Sequence, residues 1–172
     1  MAVALLAQLE IQLPLNKANI EISGQTFAVV LVGYFLGFKE GVLALILYLI
    51  AGFLGLPVFS GGSSGLDKLW GNSGGYLVGF VLAAGMVGKV KEVRDTKGLL
   101  RTFILFLVAT LLILIFGTFR LSLELGLPSA IQNGFTPFIL GGVIKSALSA
   151  VTVVVWSFTK KSKFRTSINL IV

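Results

Sequence analysis

Apolar residues gather along this chain in blocks that glycine, proline or short clusters of charge interrupt. Six blocks predict six helices. The first, Met1 to Leu13, reaches about 20 Å at about 1.5 Å per residue. That is short of the ~30 Å hydrocarbon core of a bilayer, so it is expected to be the end of a first helix whose beginning is missing from this chain. Gln25 to Phe38 is the second, closed by the charged turn Lys39-Glu40, and Gly41 to Leu56 the third, ended by Pro57 and a run of Gly and Ser from Ser60 to Gly65. Gly74 to Gly88 is the fourth, followed by the charged run Lys89 to Lys97; Leu99 to Phe119 is the fifth and Phe138 to Thr159 the sixth.

Composition decides what surrounds these helices. With 56% hydrophobic residues, 12% charged residues and a mean hydropathy of +0.98, the chain lies far from soluble domains, which carry about 25% charge. The expected fold is an all-α integral membrane protein, a compact bundle of six transmembrane helices, the first incomplete, forming a single domain over residues 1–172. Cys and His are both absent, which removes disulfides, thiolate nucleophiles, imidazole bases and the usual zinc sites. The N-terminal stretch has no basic n-region and no clear cleavage signal, and is not read as a signal peptide.

Alternating spans place Lys39, Lys89, Lys91, Arg94, Lys97, Arg101, Lys160, Lys161, Lys163 and Arg165 on one side, against Lys17, Lys68 and Arg120 on the other. The positive-inside rule puts the richer side, with both termini, in the cytoplasm of a plasma-membrane protein. This sidedness accounts for the net charge of +7 without nucleic acid. Three long segments then face outward: Gln12 to Thr26, Pro57 to Ser73 and Arg120 to Pro137. Helix connections in bundles usually run about 2 to 8 residues, so long loops on one side suggest a lid or binding site there.

One residue departs from the apolar pattern of the sixth block. Lys145 is the only charge between Glu124 and Lys160, and a cation at membrane depth costs about 2.5 to 3.5 kcal/mol on insertion scales unless it snorkels, lines a cavity or meets an anion. It lies about seven residues after Phe138, roughly 10 Å below the outer end of its helix. Gly141, Lys145, Ser149 and Thr152 share one face by spacing, while Ile144, Leu148, Val151 and Val155 share another suited to lipid. An inward Lys145 would bind a carboxylate entering from outside. Elsewhere Gly33, Gly37 and Gly41, and Gly75, Gly79 and Ala83, recur four apart and predict close helix contacts.

The run Tyr48 to Gly62, YLIAGFLGLPVFSGG, resembles the YxxxGxxGLPVF signature of the BioY family, the biotin-binding S components of energy-coupling factor (ECF) transporters. Ile22 to Thr26 resembles ITLQT, Gly71 to Phe80 resembles GPTGGYLxGF, and Pro137 to Lys145 resembles PFxxGDxxK, all in the family's order and spacing. Gly142 stands where the family usually has Asp, and Asn72 where it usually has Pro. The resemblance carries a substrate role over to Lys145, but the acidic acceptor for a ureido N–H is lost at Gly142, and the Asn72 amide oxygen is a candidate to compensate.

The resemblance implies a six-helix S component that captures biotin beneath its outer loops, with Lys145 on the valerate carboxylate and Asn72 and Gln25 on polar ring atoms. Tyr76, Phe59 and Tyr48 would pack on the thiophane ring and alkyl chain, as suits a mostly apolar pocket with a few polar fixtures. No GxxxxGK[ST] phosphate loop is present. The resemblance therefore implies partners, a transmembrane coupling protein and two ATPase subunits, with Ala2, Ala4 and Ala7 offering small residues for the contact. No cofactor is expected. An S component for a different small anion is the alternative that Gly142 raises. An enzyme is disfavoured because Glu10, Glu21, Asp67 and Glu124 form no paired motif, and a purely structural bundle because of Lys145.

Overall fold

The computed structural model describes residues 2–11, 22–94, 96 and 98–169. Most of the expected outer segment Gln12 to Thr26, with Lys17 and Glu21, lies outside the described residues, as do Asp95 and Lys97 and the side chains of the basic tail after Thr159. The helices are α1 (Ala2–Ala7), α2 (Gln25–Leu36), α3 (Phe38–Phe53), α4 (Leu66–Trp70), α5 (Gly74–Val93), α6 (Leu99–Leu125), α7 (Leu127–Ala130) and α8 (Thr136–Asn169). A 3-10 turn spans Ser60–Gly62 and a π turn Ile131–Phe135. The stretches Leu99–Leu125 and Leu127–Thr159 are long and apolar enough to cross a membrane.

One feature departs from the wholly helical expectation. A two-residue antiparallel ribbon pairs β1 (Glu10–Ile11) with β2 (Ile22–Ser23), Glu10 opposite Ser23 and Ile11 opposite Ile22. The ribbon satisfies backbone groups where the chain doubles back ahead of α2, and Gly24 N–H extends it by donating to the Leu9 carbonyl at 2.9 Å.

Small residues decide how the helices assemble. The central helix, α5, buries Gly74, Gly75, Tyr76, Leu77, Gly79 and Phe80 at one end and Ala83, Ala84, Val87 and Gly88 at the other. A methyl group on Gly33 of α2 would collide with the Ala84 backbone, one on Gly75 with the Phe116 carbonyl of α6, and one on Gly88 with the backbone at Gly37 and Phe38. In lipid there is little hydrophobic drive between helices, so this backbone-to-backbone approach supplies the packing gain. Of the recurring glycines read from the sequence, Gly33, Gly41, Gly75 and Gly79 thus sit at helix contacts, whereas Gly37 lies between α2 and α3.

Several boundaries differ from expectation: α3 ends at Phe53 instead of Leu56, α5 runs on through Lys89 and Lys91 to Val93, and α8 spans Thr136–Asn169. The break between α2 and α3 falls at Gly37, whose φ of 86° few other residues tolerate, and Lys39-Glu40 belongs to the first turn of α3. Glu92 of α5 caps that turn, its Oε1 accepting from Phe38 N–H at 2.7 Å. The segment Arg120 to Pro137 is not an open loop. The α6 helix continues to Leu125, its polar end satisfied by the Arg120–Glu124 ion pair of 2.6 Å and by Arg120 donating to the Trp70 carbonyl. It then turns at Gly126 (φ 76°) into α7 and the π turn. Helices α2, α3, α5, α6 and α8 therefore alternate in direction, with the Gly37 and Arg94 end opposite the end carrying Gln25, Trp70 and Arg120.

Candidate functional site

At the end of the bundle where α2, α5 and α8 begin, a cavity of about 60 Å³ lies under the segment 57–73. Phe59, Tyr76, Leu77, Phe80, Leu114 and Phe138 form its apolar wall, and Ser23, Gln25, Thr26, Ser60, Lys68 and Lys145 bring polar groups to it. That volume is room for about four or five waters. Drug-sized ligand pockets are several times larger, about 300–1,000 Å³, so an organic ligand has to push the cover outward.

The position of Lys145 follows from helix rotation. At about 100° per residue, the buried residues Gly142, Ser146, Ser149, Ala150 and Val153 centre on a direction about 80° from Lys145. Lys145 therefore lies on the shoulder of the buried face, half-buried, and its long stem carries the ammonium inward. Its Nζ donates to the Ser23 carbonyl at 2.6 Å, joining α8 to the ribbon ahead of α2. Ser149 Oγ donates to the Lys145 carbonyl at 2.7 Å. Thr152, assigned to the Lys145 face by its spacing, is exposed, because it lies on the far side of Lys145 from the buried centre. Ile144, Leu148, Val151 and Val155 are 46–54% exposed, as a lipid-facing set should be.

A buried polar chain runs behind the cavity. Ser23 Oγ donates to Gln25 Oε1 at 2.7 Å, Gln25 Nε2 donates to Tyr48 Oη at 2.6 Å, and Tyr48 Oη donates to the Val58 carbonyl at 3.1 Å. The chain ties β2, α2 and α3 to the covering segment. Phe59, 2% exposed, stands edge-on to Tyr48 at 5.5 Å between ring centroids and packs so closely on Gly52 that a methyl group there would enter its ring. On the other side Tyr76 Oη donates to the Gly134 carbonyl of the π turn at 2.5 Å, and the Tyr76 ring covers Gly117.

Of the residues singled out in the sequence, Lys145, Gln25, Tyr76 and Phe59 line one cavity. Tyr48 stands behind Gln25 and supports it rather than lining the space. Asn72 is not among the lining residues, because the turn from α4 into α5 presents its neighbour Ser73. Gly142 also lies outside the lining. It is buried about 60° around α8 from Lys145, where an added Cβ would stand 2.9 Å from Thr110 Cγ2. Sequence reasoning missed Ser23, Thr26 and Lys68. Thr26 Oγ1 is buried without a hydrogen-bond partner, and Lys68 is a second cation on the cavity. The signal for Lys68 was an isolated cation in a segment otherwise rich in Gly and Ser.

The sequence matches known proteins over most of its length. A sequence model of the BioY family, so described, matches residues 1–161. The chain belongs to the BioY family. Family relatives include the biotin transporter BioY2 of Lactococcus lactis subsp. cremoris, 35% identical over 134 residues that cover 77% of this chain and 73% of that protein. The biotin transporter BioY of Thermotoga maritima is also 35% identical, over 143 residues and 82% of each chain. The fold is similar to the crystal structure of the S component for biotin from an ECF-type ABC transporter. The TM-score is 0.81 at 26% identity, over 91% of this chain and 85% of that one. BioY membership makes this a membrane-embedded transport protein and not an enzyme.

Proposed function

We propose that this protein is the substrate-specificity subunit of an ATP-driven importer and captures biotin at the outer face of the plasma membrane. The observation that carries the reading is Lys145, an ammonium held on a small, mostly apolar cavity within a BioY-family chain. Biotin offers an apolar bicycle and chain, a ureido group and a carboxylate. An ammonium has three donors, so Lys145 can take the carboxylate while keeping its bond to the Ser23 carbonyl. Gln25 and Thr26 supply polar groups to the ring, and Tyr76 and Phe59 supply flat apolar walls. Lys68, on the covering segment, adds to the positive field that draws an acid in.

Entry requires the cover to move. The bonds that hold it include Tyr48 Oη to the Val58 carbonyl at 3.1 Å, Gln8 Nε2 to the Phe59 carbonyl at 3.2 Å, Gly65 N–H to the Gly52 carbonyl at 2.8 Å and Arg120 to the Trp70 carbonyl. Ligand contacts made on reclosure replace that cost. The chain would work as one domain of six transmembrane helices with both termini in the cytoplasm, a sidedness supported by the basic residues near Arg94 and Arg101.

Since no phosphate loop is present, a transmembrane coupling protein and two ATPase subunits would energise transport. Within α1, Ala2 is exposed and Ala4 half-buried, whereas Ala7 is fully buried. Any contact there would use Ala2 and Ala4, leaving Ala7 to the bundle. Calorimetry of the purified chain against a panel of vitamins tests the proposal. Saturable one-site binding of biotin, and of no other member, is expected. Saturable binding of a different anionic vitamin in its place would overturn it.

A further inference from the structure

A second and larger hollow lies at the opposite end of the bundle, between the end of α5 and the start of α6. This groove, of about 630 Å³, is walled by Met86, Ile104 and Val108, with Arg94, Thr96 and Arg101 at its polar end. Arg94 and Arg101 are exposed, as are Ile104 at 50% and Val108 at 47%. The groove thus runs from a pair of guanidinium groups onto an apolar strip of the outer helix surface. The surrounding sequence from Lys89 to Arg101 carries five cations, Lys89, Lys91, Arg94, Lys97 and Arg101, against Glu92 and Asp95. Glu92 is engaged on the far side, accepting from Phe38 N–H at 2.7 Å.

We infer that this groove is a binding site for an acidic phospholipid, its phosphate on Arg94 and Arg101 and one acyl chain along Ile104, Val108 and Met86. Both halves of the groove are needed for the assignment. Guanidinium groups bind phosphate oxygens in a fork that a zwitterionic headgroup partly neutralises with its own cation. The apolar strip meets the chain of a lipid, and a free phosphate would leave it unused. Basic pockets between helices at the headgroup level of a membrane are the usual form of such sites. The position also has a consequence for the fold. The groove borders the α5–α6 connection, where Thr102 Oγ1 donates to the Thr96 carbonyl at 2.8 Å, so a bound lipid would brace it.

Native mass spectrometry of the full purified chain, with phosphatidylglycerol and phosphatidylcholine of matched acyl chains, tests the inference. Phosphatidylglycerol should be retained preferentially, and Arg94→Gln with Arg101→Gln should lower its affinity about 30-fold while leaving phosphatidylcholine and biotin binding unchanged. Biotin binding by the double variant reports folding; if it is lost, the single Arg94→Gln is read instead, with a several-fold drop expected. Ile104→Trp, which fills the apolar strip, should weaken phosphatidylglycerol without touching the charges. Equal retention of the two lipids by the unmodified chain would overturn the inference. So would an undiminished preference after removal of the arginines, or inorganic phosphate competing as well as the lipid does.

Discussion

Replacing Lys145 with Ala separates an ion pair from a merely structural lysine. The variant loses two things: the bond from Nζ to the Ser23 carbonyl at 2.6 Å, and any bond to a ligand. The first loss frees a carbonyl next to Gln25 and loosens the cavity for every ligand alike. The second falls most heavily on a carboxylate, because a neutral carbonyl accepts a weaker bond from the ammonium. A hydrogen bond to a charged group is worth about 1.5–3 kcal/mol, so biotin should bind about 10- to 150-fold more weakly. Biotinamide, which keeps the ring and chain but carries no charge, should lose the shared part and at most a weaker neutral bond, about three- to tenfold in all. Calorimetric titration of both ligands into both proteins gives the difference directly. Lys68→Ala belongs in the same series, since Lys68 lines the same cavity. Equal losses for biotin and biotinamide in Lys145→Ala would refute the pairing with the carboxylate, and a selective loss in Lys68→Ala would move that role to Lys68.

Other outcomes follow from the same geometry. Tyr48→Phe removes the link between Gln25 and the Val58 carbonyl, and should cost about 1 kcal/mol of stability and speed biotin release; a melting curve and a dissociation rate equal to those of the parent would contradict this. Gly52→Ala should displace Phe59 and weaken biotin at least tenfold, and Phe59→Leu in the same chain should recover part of the loss in a filter-binding assay. Gly142→Asp alone should gain no affinity, because its Cβ would stand 2.9 Å from Thr110 Cγ2. Combined with Thr110→Ser, which removes that methyl group, it should still gain no affinity, because position 142 lies outside the cavity lining; tighter binding by the double variant than by Thr110→Ser alone would contradict this.

Much of this protein can be read from the order of its residues. Long apolar blocks, scarce charge and the lopsided distribution of Lys and Arg specify helices in a membrane, because a bilayer admits few other ways to satisfy a backbone. Glycines four apart mark the helix crossings, since only a missing side chain allows that approach. Lys145 was legible for the same reason: a lone cation among apolar residues needs a partner. Tertiary structure alone decided who the neighbours are. The Ser23 carbonyl meets Lys145 across 122 residues of chain, and Tyr48 stands behind Gln25 instead of facing the cavity. Gly142 faces Thr110, and Lys68 joins the lining from the short helix α4 within the covering segment. Local pattern sets which face of a helix is apolar, but a rotation of about 60°, less than one residue's turn, separates Gly142 from Lys145. Only the packing of one helix on the next determines which of the two reaches the cavity.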